Sequence, residues 1–493
     1  MQAALETERE KPSIHHEPER QEFFPRHGWK LLPLLPLAWV IFVVARYAVP
    51  VPFMDQWEFV PFLGKYYGGE LTLADVWAQH NEHRIFFPRL IMLGLARLTH
   101  WNIAWEFAVS IILAIGIFAV VAWQIRRTAS ELGTDRLKWA IPVASLVIFS
   151  VCQFENWLWG WQLQMLLEML AVWGAVVLLS RPSFRWSAFA AAAALGIVAS
   201  YSFANGVLVW PLGTALLLAV KAGRKDRAAA LASWLLLGAL TLWWYFQDYQ
   251  KPPQHPSLRI FFQHPRDSAC YILTYLGNVC AQYGNGGIVP DDVYAIIFGL
   301  AGPAILAWAI WTILRHRIAD ARTLFPYLAM AAYPCGCALL TAVGRSGFGS
   351  HQAMISRYCT MTAPLWIALS VLLLLIAERQ PATPIASPST LGPAARQKIA
   401  RWLFWAVIAF VGMSSAFSVR QAQECWINRV HNRQALLETA KHPEAGGNHD
   451  NLWGMFPEPR KVMERYPILI KYHLSVFRDE QAFPSPTEAK EYQ

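Results

Sequence analysis

"LLPLLPLAWVIFVVARYA" (Leu31–Ala48) runs directly into "VPVPFMDQWEF" (Val49–Phe59), and a little further on stands "AQHNEHRIFFPRL" (Ala78–Leu90). The first stretch is apolar but for Arg46 and approaches the roughly 20 residues that cross a bilayer as a helix. It follows a charged tail and no small-residue cleavage pattern succeeds it, so it reads as a span and not as a cleavable signal. Ten further runs of this kind follow: Ile103–Ile125, Trp139–Val151, Leu163–Leu179, Ser187–Tyr201, Val207–Val220, Ala228–Phe246, Val293–Leu314, Leu324–Val343, Cys359–Ala377 and Trp402–Val419. The sequence therefore predicts an all-α, polytopic transmembrane bundle of about eleven spans. With 55% hydrophobic and only 15% charged residues in 493, the chain is far from the roughly 25% charge of soluble domains.

The net charge of +9 would suit nucleic acid if the cations formed one patch, but they are spread by topology. With the N-terminus inside, every even-numbered connection faces the cytoplasm. Those connections carry Arg126, Arg127, Arg136 and Lys138; Arg181 and Arg185; Lys221, Arg224, Lys225 and Arg227; Arg315, Arg317 and Arg322; and Arg379, Arg396, Lys398 and Arg401. This is the positive-inside pattern repeated five times, so the basic balance reports orientation and no nucleic-acid partner is expected. Most of the 24 Trp are expected in interfacial belts. Of the seven Cys, only Cys270 and Cys280 share an outer loop, where an oxidising compartment would let them pair. No metal-type Cys spacing is present.

Residues 1–28 read as a disordered cytoplasmic tail, 29–419 as the transmembrane domain, and 420–493 as a small polar segment that span parity places outside. Within the domain, 378–401 is a Pro/Ser/Ala linker of cytoplasmic type. The first outer connection, 49–102, is expected to hold two short juxtamembrane helices. Thr72 with Asp75 resembles a capping box opening the first; Phe86–Leu98, with Pro88 near its start, forms the second. The long outer loop 247–292 is partly helical in pattern and stops at the turn-rich "YGNGG".

The polar clusters all sort to one face. Asp55, Glu58, His80, Asn81, Glu82, His83 and Arg84 lie on the first outer connection. "FENWLWGWQLQ" adds Glu155, Asn156 and Gln162, "SYSFANG" adds Asn205, and "GRSGFGSHQAMISRY" adds Arg345, His351 and Arg357. The span interiors hold few ionisable groups, chiefly Arg46, Glu106 and Glu168, which argues against a mid-membrane proton relay. A site at the outer surface fits better. There Asp55 could serve as a general base toward a hydroxyl, or cap a helix or pair with Arg84. Arginines on this side run against the topological bias and suit phosphate oxygens, which a guanidinium binds in two places; pairing with Glu82 or Glu155 is the alternative. His80, Glu82 and His83 with Asp55 could ligate Zn²⁺ or Mn²⁺. The pattern is not H-E-x-x-H, however, and on a helix Glu82 would leave the face that His80 and His83 share. A hydrogen-bonded cluster at the mouth of a site, with no metal and no cofactor, is the expectation.

An acid just after the first span, two juxtamembrane helices and a polar "H…P" stretch before the next span together resemble the GT-C superfamily of integral membrane glycosyltransferases. That superfamily includes the protein O-mannosyltransferases and the lipid A aminoarabinose transferase. The resemblance covers roughly Asp55 to Leu90 at the level of motif and the remaining spans at the level of topology. It implies a polyprenyl-phosphate sugar donor used at the outer face, usually with inversion, and a glycan, lipid or protein acceptor in the envelope of a bacterial cell, with the bundle in the inner membrane. Asp55 is then the implied catalytic base and His80–Pro88 the implied pocket lining. His80, Glu82, His83, Arg84, Glu155, Asn156 and Asn205 are expected to contact substrate, and Arg345 and Arg357 to hold the lipid phosphate by topology. The sequence departs from many members at Gln56, where a second acid is common. Trp57, Trp157, Trp159 and Trp161 could stack on sugar faces or anchor at the interface. Two other functions share this layout: a flippase for lipid-linked oligosaccharide, and an O-antigen polymerase or ligase.

Overall fold

A computed structural model describes residues 30–284, 289–379, 392–441 and 452–478. The tail expected over 1–28, half of the 378–401 linker, and part of the "YGNGG" turn lie outside the described residues. Regular structure among the described residues is helical throughout. In chain order the helices are α1 (Leu34–Tyr47), α2 (Gln56–Gly68), α3 (Leu73–Trp77), α4 (Phe86–Thr99), α5 (Ala104–Glu131), α6 (Ala140–Ile148), α7 (Phe154–Leu158), α8 (Leu163–Leu179), α9 (Trp186–Ser200), α10 (Val209–Ala219), α11 (Arg224–Tyr245), α12 (Arg259–Gln263), α13 (Pro265–Gly277), α14 (Asp291–Arg315), α15 (Ala321–Arg345), α16 (Cys359–Glu378), α17 (Pro393–Lys441) and α18 (Pro459–Lys471).

Among the described residues, eight helical runs are long and apolar enough to cross a membrane. The other three apolar segments form shorter helices, α1, α9 and α10. The bundle is built around α16, whose residues from Cys359 to Ala377 are all buried, against α6, α14, α15 and α17. A helix that is apolar all round requires such a central place. Around it, α11 and α14 turn Leu236, Trp243, Ile297 and Leu300 outward. An apolar rim of this kind is what a bilayer covers.

The two helices expected in the first connection are present. Thr72 Oγ1 accepts the Asp75 amide at 3.3 Å while the Asp75 carboxylate accepts the Thr72 amide at 3.0 Å, a complete capping box on α3. In the 247–292 loop, α13 packs so closely on α14 that backbone meets backbone: a Cβ on Gly277 would lie 1.9 Å from the Ala295 carbonyl oxygen, and one on Gly299 1.8 Å from that of Leu273. Cys270 and Cys280 do not pair; both are free thiols, the first on α13 and the second on the 3-10 turn after it.

The largest departure from expectation concerns the last helix. The apolar run ends near Val419, yet α17 continues to Lys441, 49 residues in all and about 74 Å long at 1.5 Å per residue. Arg429, which sits poorly with an outer location, is buried with its guanidinium over the Phe53 ring. The chain beyond α17 is not a separate appendage either. Helix α18 packs on α2, Met54 donates its amide to the Met455 carbonyl at 2.7 Å, and Ser475 donates to that of His100 at 2.9 Å.

Candidate functional site

Asp55 sits at the turn between α1 and α2, and its place is fixed from two sides. Prolines 50 and 52 prevent α1 from continuing, Met54 takes a left-handed conformation with φ 47°, and α2 begins at Gln56. Beneath it, the Gln56 side-chain amide donates to Glu106 at 2.6 Å and its oxygen accepts the Phe53 amide at 3.2 Å. Trp101 donates to the other Glu106 oxygen at 2.9 Å, so both carboxylate oxygens are engaged in a dry interior. From above, Arg465 donates to the Trp57 carbonyl and to Glu58, at 3.1 and 3.0 Å.

The residue at 56 that departs from an acidic pair is therefore a neutral donor to one oxygen of a buried carboxylate, as Trp101 is to the other. Gln56→Glu would set two carboxylates within hydrogen-bond distance in a water-free site, where they must share a proton or repel. It is expected to lower stability by about 2–4 kcal/mol, read as a fall in the thermal midpoint of detergent-purified protein. An unchanged midpoint would refute this role for Gln56.

"HNEHR" is not helical. His80 and His83 exchange both backbone hydrogen bonds, at 2.9 and 2.8 Å, and Asn81 occupies the left-handed region with φ 47°, which Asn tolerates better than most residues. The turn points its side chains different ways. His80 faces Asp55, with Nε2 3.4 Å from the carboxylate, and lies edge-on to Trp161. His83 stacks on Phe203 with ring centroids 4.0 Å apart, accepts the Ala204 amide on Nδ1 at 3.1 Å and sets Nε2 3.6 Å from Glu82. Glu82 pairs with Arg345, has His255 3.7 Å away, and Arg345 also donates to the Tyr358 hydroxyl at 3.0 Å.

Burial opposes the Asp55 charge, but the His80 hydrogen bond and the nearby His80, Arg357 and His83 outweigh it and hold the carboxyl below its ordinary range. Glu82 shows the same balance: burial raises it, and His83, Arg345 and His255 bring it down to about 2. Burial pulls the His83 ring down from 6.5 to about 4, over the opposing charge of Glu82, with Arg345 and His80 adding to the fall. Between those two values the unfolded chain binds a proton that the folded one refuses. The stabilisation is complete above pH 6.5 and is lost as pH falls toward 4, amounting to about 3 kcal/mol. Unfolding midpoints at pH 7.5 and 4.5 are expected to differ much less in His83→Gln than in the wild type; equal acid sensitivity of the two would remove His83 as the source.

These groups border a cavity of about 440 Å³. Of the residues singled out in the sequence, Asp55, Asn81, Glu82, His83, Gln162, Asn205, Arg345 and Arg357 line it, although they come from four separate connections. Its other walls are mostly apolar, with Phe203, Val207, Leu258, Leu340 and Val343.

Four expected contacts lie elsewhere. Arg84 is buried and donates to the carbonyls of Tyr245, Trp77 and Gln247, capping the C-terminal end of α11, where orphan carbonyls and the helix dipole favour a cation. Glu155 is turned to Arg357, 3.3 Å away, and accepts from the Ser356 hydroxyl. Asn156 is buried and donates to the Arg357 carbonyl and to Thr360. His80 stands behind Asp55. Glu155, Asn156 and His80 thus support the groups that face the cavity. His351 is exposed and takes no part in the lining.

Sequence reasoning missed Lys251, His255 and Tyr358, which also line the cavity. The signal for the first two was "KPPQHP", a lysine and a histidine stiffened between prolines. Trp57, Trp157 and Trp161 are fully buried and serve packing, as do Trp101, Trp173 and Trp234, in place of the interfacial belt expected of most Trp. Trp159 alone of the four near the site lines the cavity, its indole N–H on the Phe53 carbonyl at 3.1 Å. His83 is poorly disposed to hold a metal, because accepting the Ala204 amide on Nδ1 leaves the ring proton on Nε2, the nitrogen that faces Glu82. Among the described residues no group of three His, Cys, Asp or Glu side chains converges with ligand geometry. The chain matches no family model, no curated protein and no solved structure.

Proposed function

We propose that this protein is a membrane glycosyltransferase that moves a sugar from a polyprenyl-phosphate donor to an envelope acceptor at the periplasmic face of a bacterial inner membrane. The observation that carries the reading is that the Asp55 carboxylate, about a third exposed at 34%, opens into the same cavity as the Arg345 and Arg357 side chains. In this reading Asp55 accepts the proton of the acceptor hydroxyl as its oxygen attacks the anomeric carbon. The bond from that carbon to the donor phosphate breaks, and its electron pair leaves on the phosphate. Each arginine has five N–H donors, so Arg345 and Arg357 keep donors for the departing phosphate while paired with Glu82 and Glu155. The apolar wall from Leu340 to Val343 suits the first units of a polyprenyl chain. With the N-terminus in the cytoplasm, all eleven apolar helices cross. A 14-residue α1 is about 21 Å long and falls short of the roughly 30 Å core. The remainder is spanned by irregular backbone buried within the protein, as at Val49 and Val51.

The test is transfer of labelled sugar by purified protein from polyprenyl monophosphate and pyrophosphate donors. Transfer from the monophosphate donor supports the proposal. Transfer from pyrophosphate carriers alone would make the protein a polymerase or ligase, and movement of lipid-linked sugar across vesicles with no glycosidic bond formed would make it a flippase.

A further inference from the structure

A second cavity, of about 250 Å³, lies at the other end of the bundle. Helix α5 marks the distance: Glu106 touches the Asp55 turn, and Arg127 is 21 residues on, about 30 Å along the axis. Four of the segments that border it carry cations, Arg127 from α5, Arg181 after α8, Lys221 after α10 and Arg322 from α15, against two acids, Glu131 and Asp320. The deeper wall is apolar, formed by Leu179, Leu216, Val220 and Phe325.

Two polar atoms at this wall are buried without a partner: the Gln124 side-chain oxygen and Nη1 of Arg127. Gln124 is only 1% exposed, and its amide nitrogen is used on Thr128 at 3.1 Å. Arg127 is held in place by Glu131 on Nε at 3.1 Å and by the Ser180 carbonyl on Nη2, which leaves Nη1 as the inward donor. An unmet donor and an unmet acceptor in a dry wall are costly unless something fills both. A phosphate monoester does so, since it offers acceptor oxygens and, when singly protonated, an O–H donor.

We propose that this cavity binds the phosphate headgroup of an anionic lipid, with Arg127 and Gln124 on the phosphate, Arg181, Lys221 and Arg322 around it, and the start of the acyl chains against Leu216 and Phe325. The apolar wall favours a lipid over a free phosphate, and the inference is independent of the chemistry at Asp55. The test is native mass spectrometry of the full chain in mild detergent with short-chain phosphatidic acid, phosphatidylcholine of the same chain length, and inorganic phosphate. The wild type is expected to prefer phosphatidic acid, and Arg127→Gln combined with Arg322→Gln to bind it about tenfold or more weakly. The exposed Lys221→Gln, which leaves the helix contacts intact, should weaken it to a smaller degree. Equal binding of the two lipids, undiminished binding by the variants, or binding of inorganic phosphate without the lipid would each overturn the assignment.

Discussion

Asp55→Asn is expected to slow sugar transfer by about 10²–10⁴-fold, the contribution of a positioned general base, while leaving the protein folded. The amide has the shape of the carboxylate and can keep the contact to His80, and nothing in the framework beneath it depends on the charge: Gln56, Glu106 and Arg465 hold the turn through their own bonds. What the variant loses is the ability to take a proton. Because His80, Arg357 and His83 offset burial and hold the Asp55 carboxyl below its ordinary range, the base form is complete across neutral pH. The rate of the wild type should therefore show no acid limb above the usual carboxylate range. Initial rates with a saturating donor, together with thermal midpoints for both proteins, check this. A variant within about threefold of wild type would remove Asp55 as the base, whatever the donor.

Gly299→Ala is expected to destabilise the protein by about 3 kcal/mol or more, at the top of the range for overpacking. The added methyl would stand 1.8 Å from the Leu273 carbonyl oxygen and 2.6 Å from its carbon, and backbone inside a helix cannot step aside as a side-chain end can. The damage reaches the site, because α13 organises the loop that carries Arg357. Tyr271 donates to Gln352, Gln352 donates to the Tyr358 hydroxyl at 3.2 Å, and Asn278 holds the Ala353 carbonyl at 3.3 Å. Gly94→Ala on α4 is the control, since a Cβ there meets nothing within 4 Å and Ala is the better helix former. A thermal midpoint for Gly299→Ala equal to that of the control would show that α13 and α14 separate without cost.

The apolar segments were legible because each is a property of one contiguous stretch: every one of the eleven lies on a helix. The capping box at Thr72 was legible for the same reason, as its two partners are three residues apart. What could not be read is what depends on distant partners. Arg84 was rightly noted as unusual on its side of the chain, but its bonds go to Tyr245 and Gln247, about 160 positions away, and no local pattern announces a helix end at that spot. Gln56 looked like a departure from a motif until Glu106 was found beneath it. The continuation of α17 past Val419 was hidden because its second half is polar, and periodicity cannot show that Arg429 is covered by Phe53. His255 and Lys251 were passed over because the loop that holds them has few acids to mark it as chemical.

The seating of α18 on α2 bears on how the protein is made. Arg465 and Glu58 are 407 residues apart, so the clamp on the Asp55 turn cannot close until nearly the whole chain has left the ribosome. At 5–20 residues per second this interval is roughly 20–80 s. The helices enter the membrane during that time with the Asp55 turn held from below, through Gln56, and from the side, through Trp159, but not yet by Arg465. A nascent or truncated chain would thus insert before this turn is clamped, and the candidate site would be complete only with the arrival of α18.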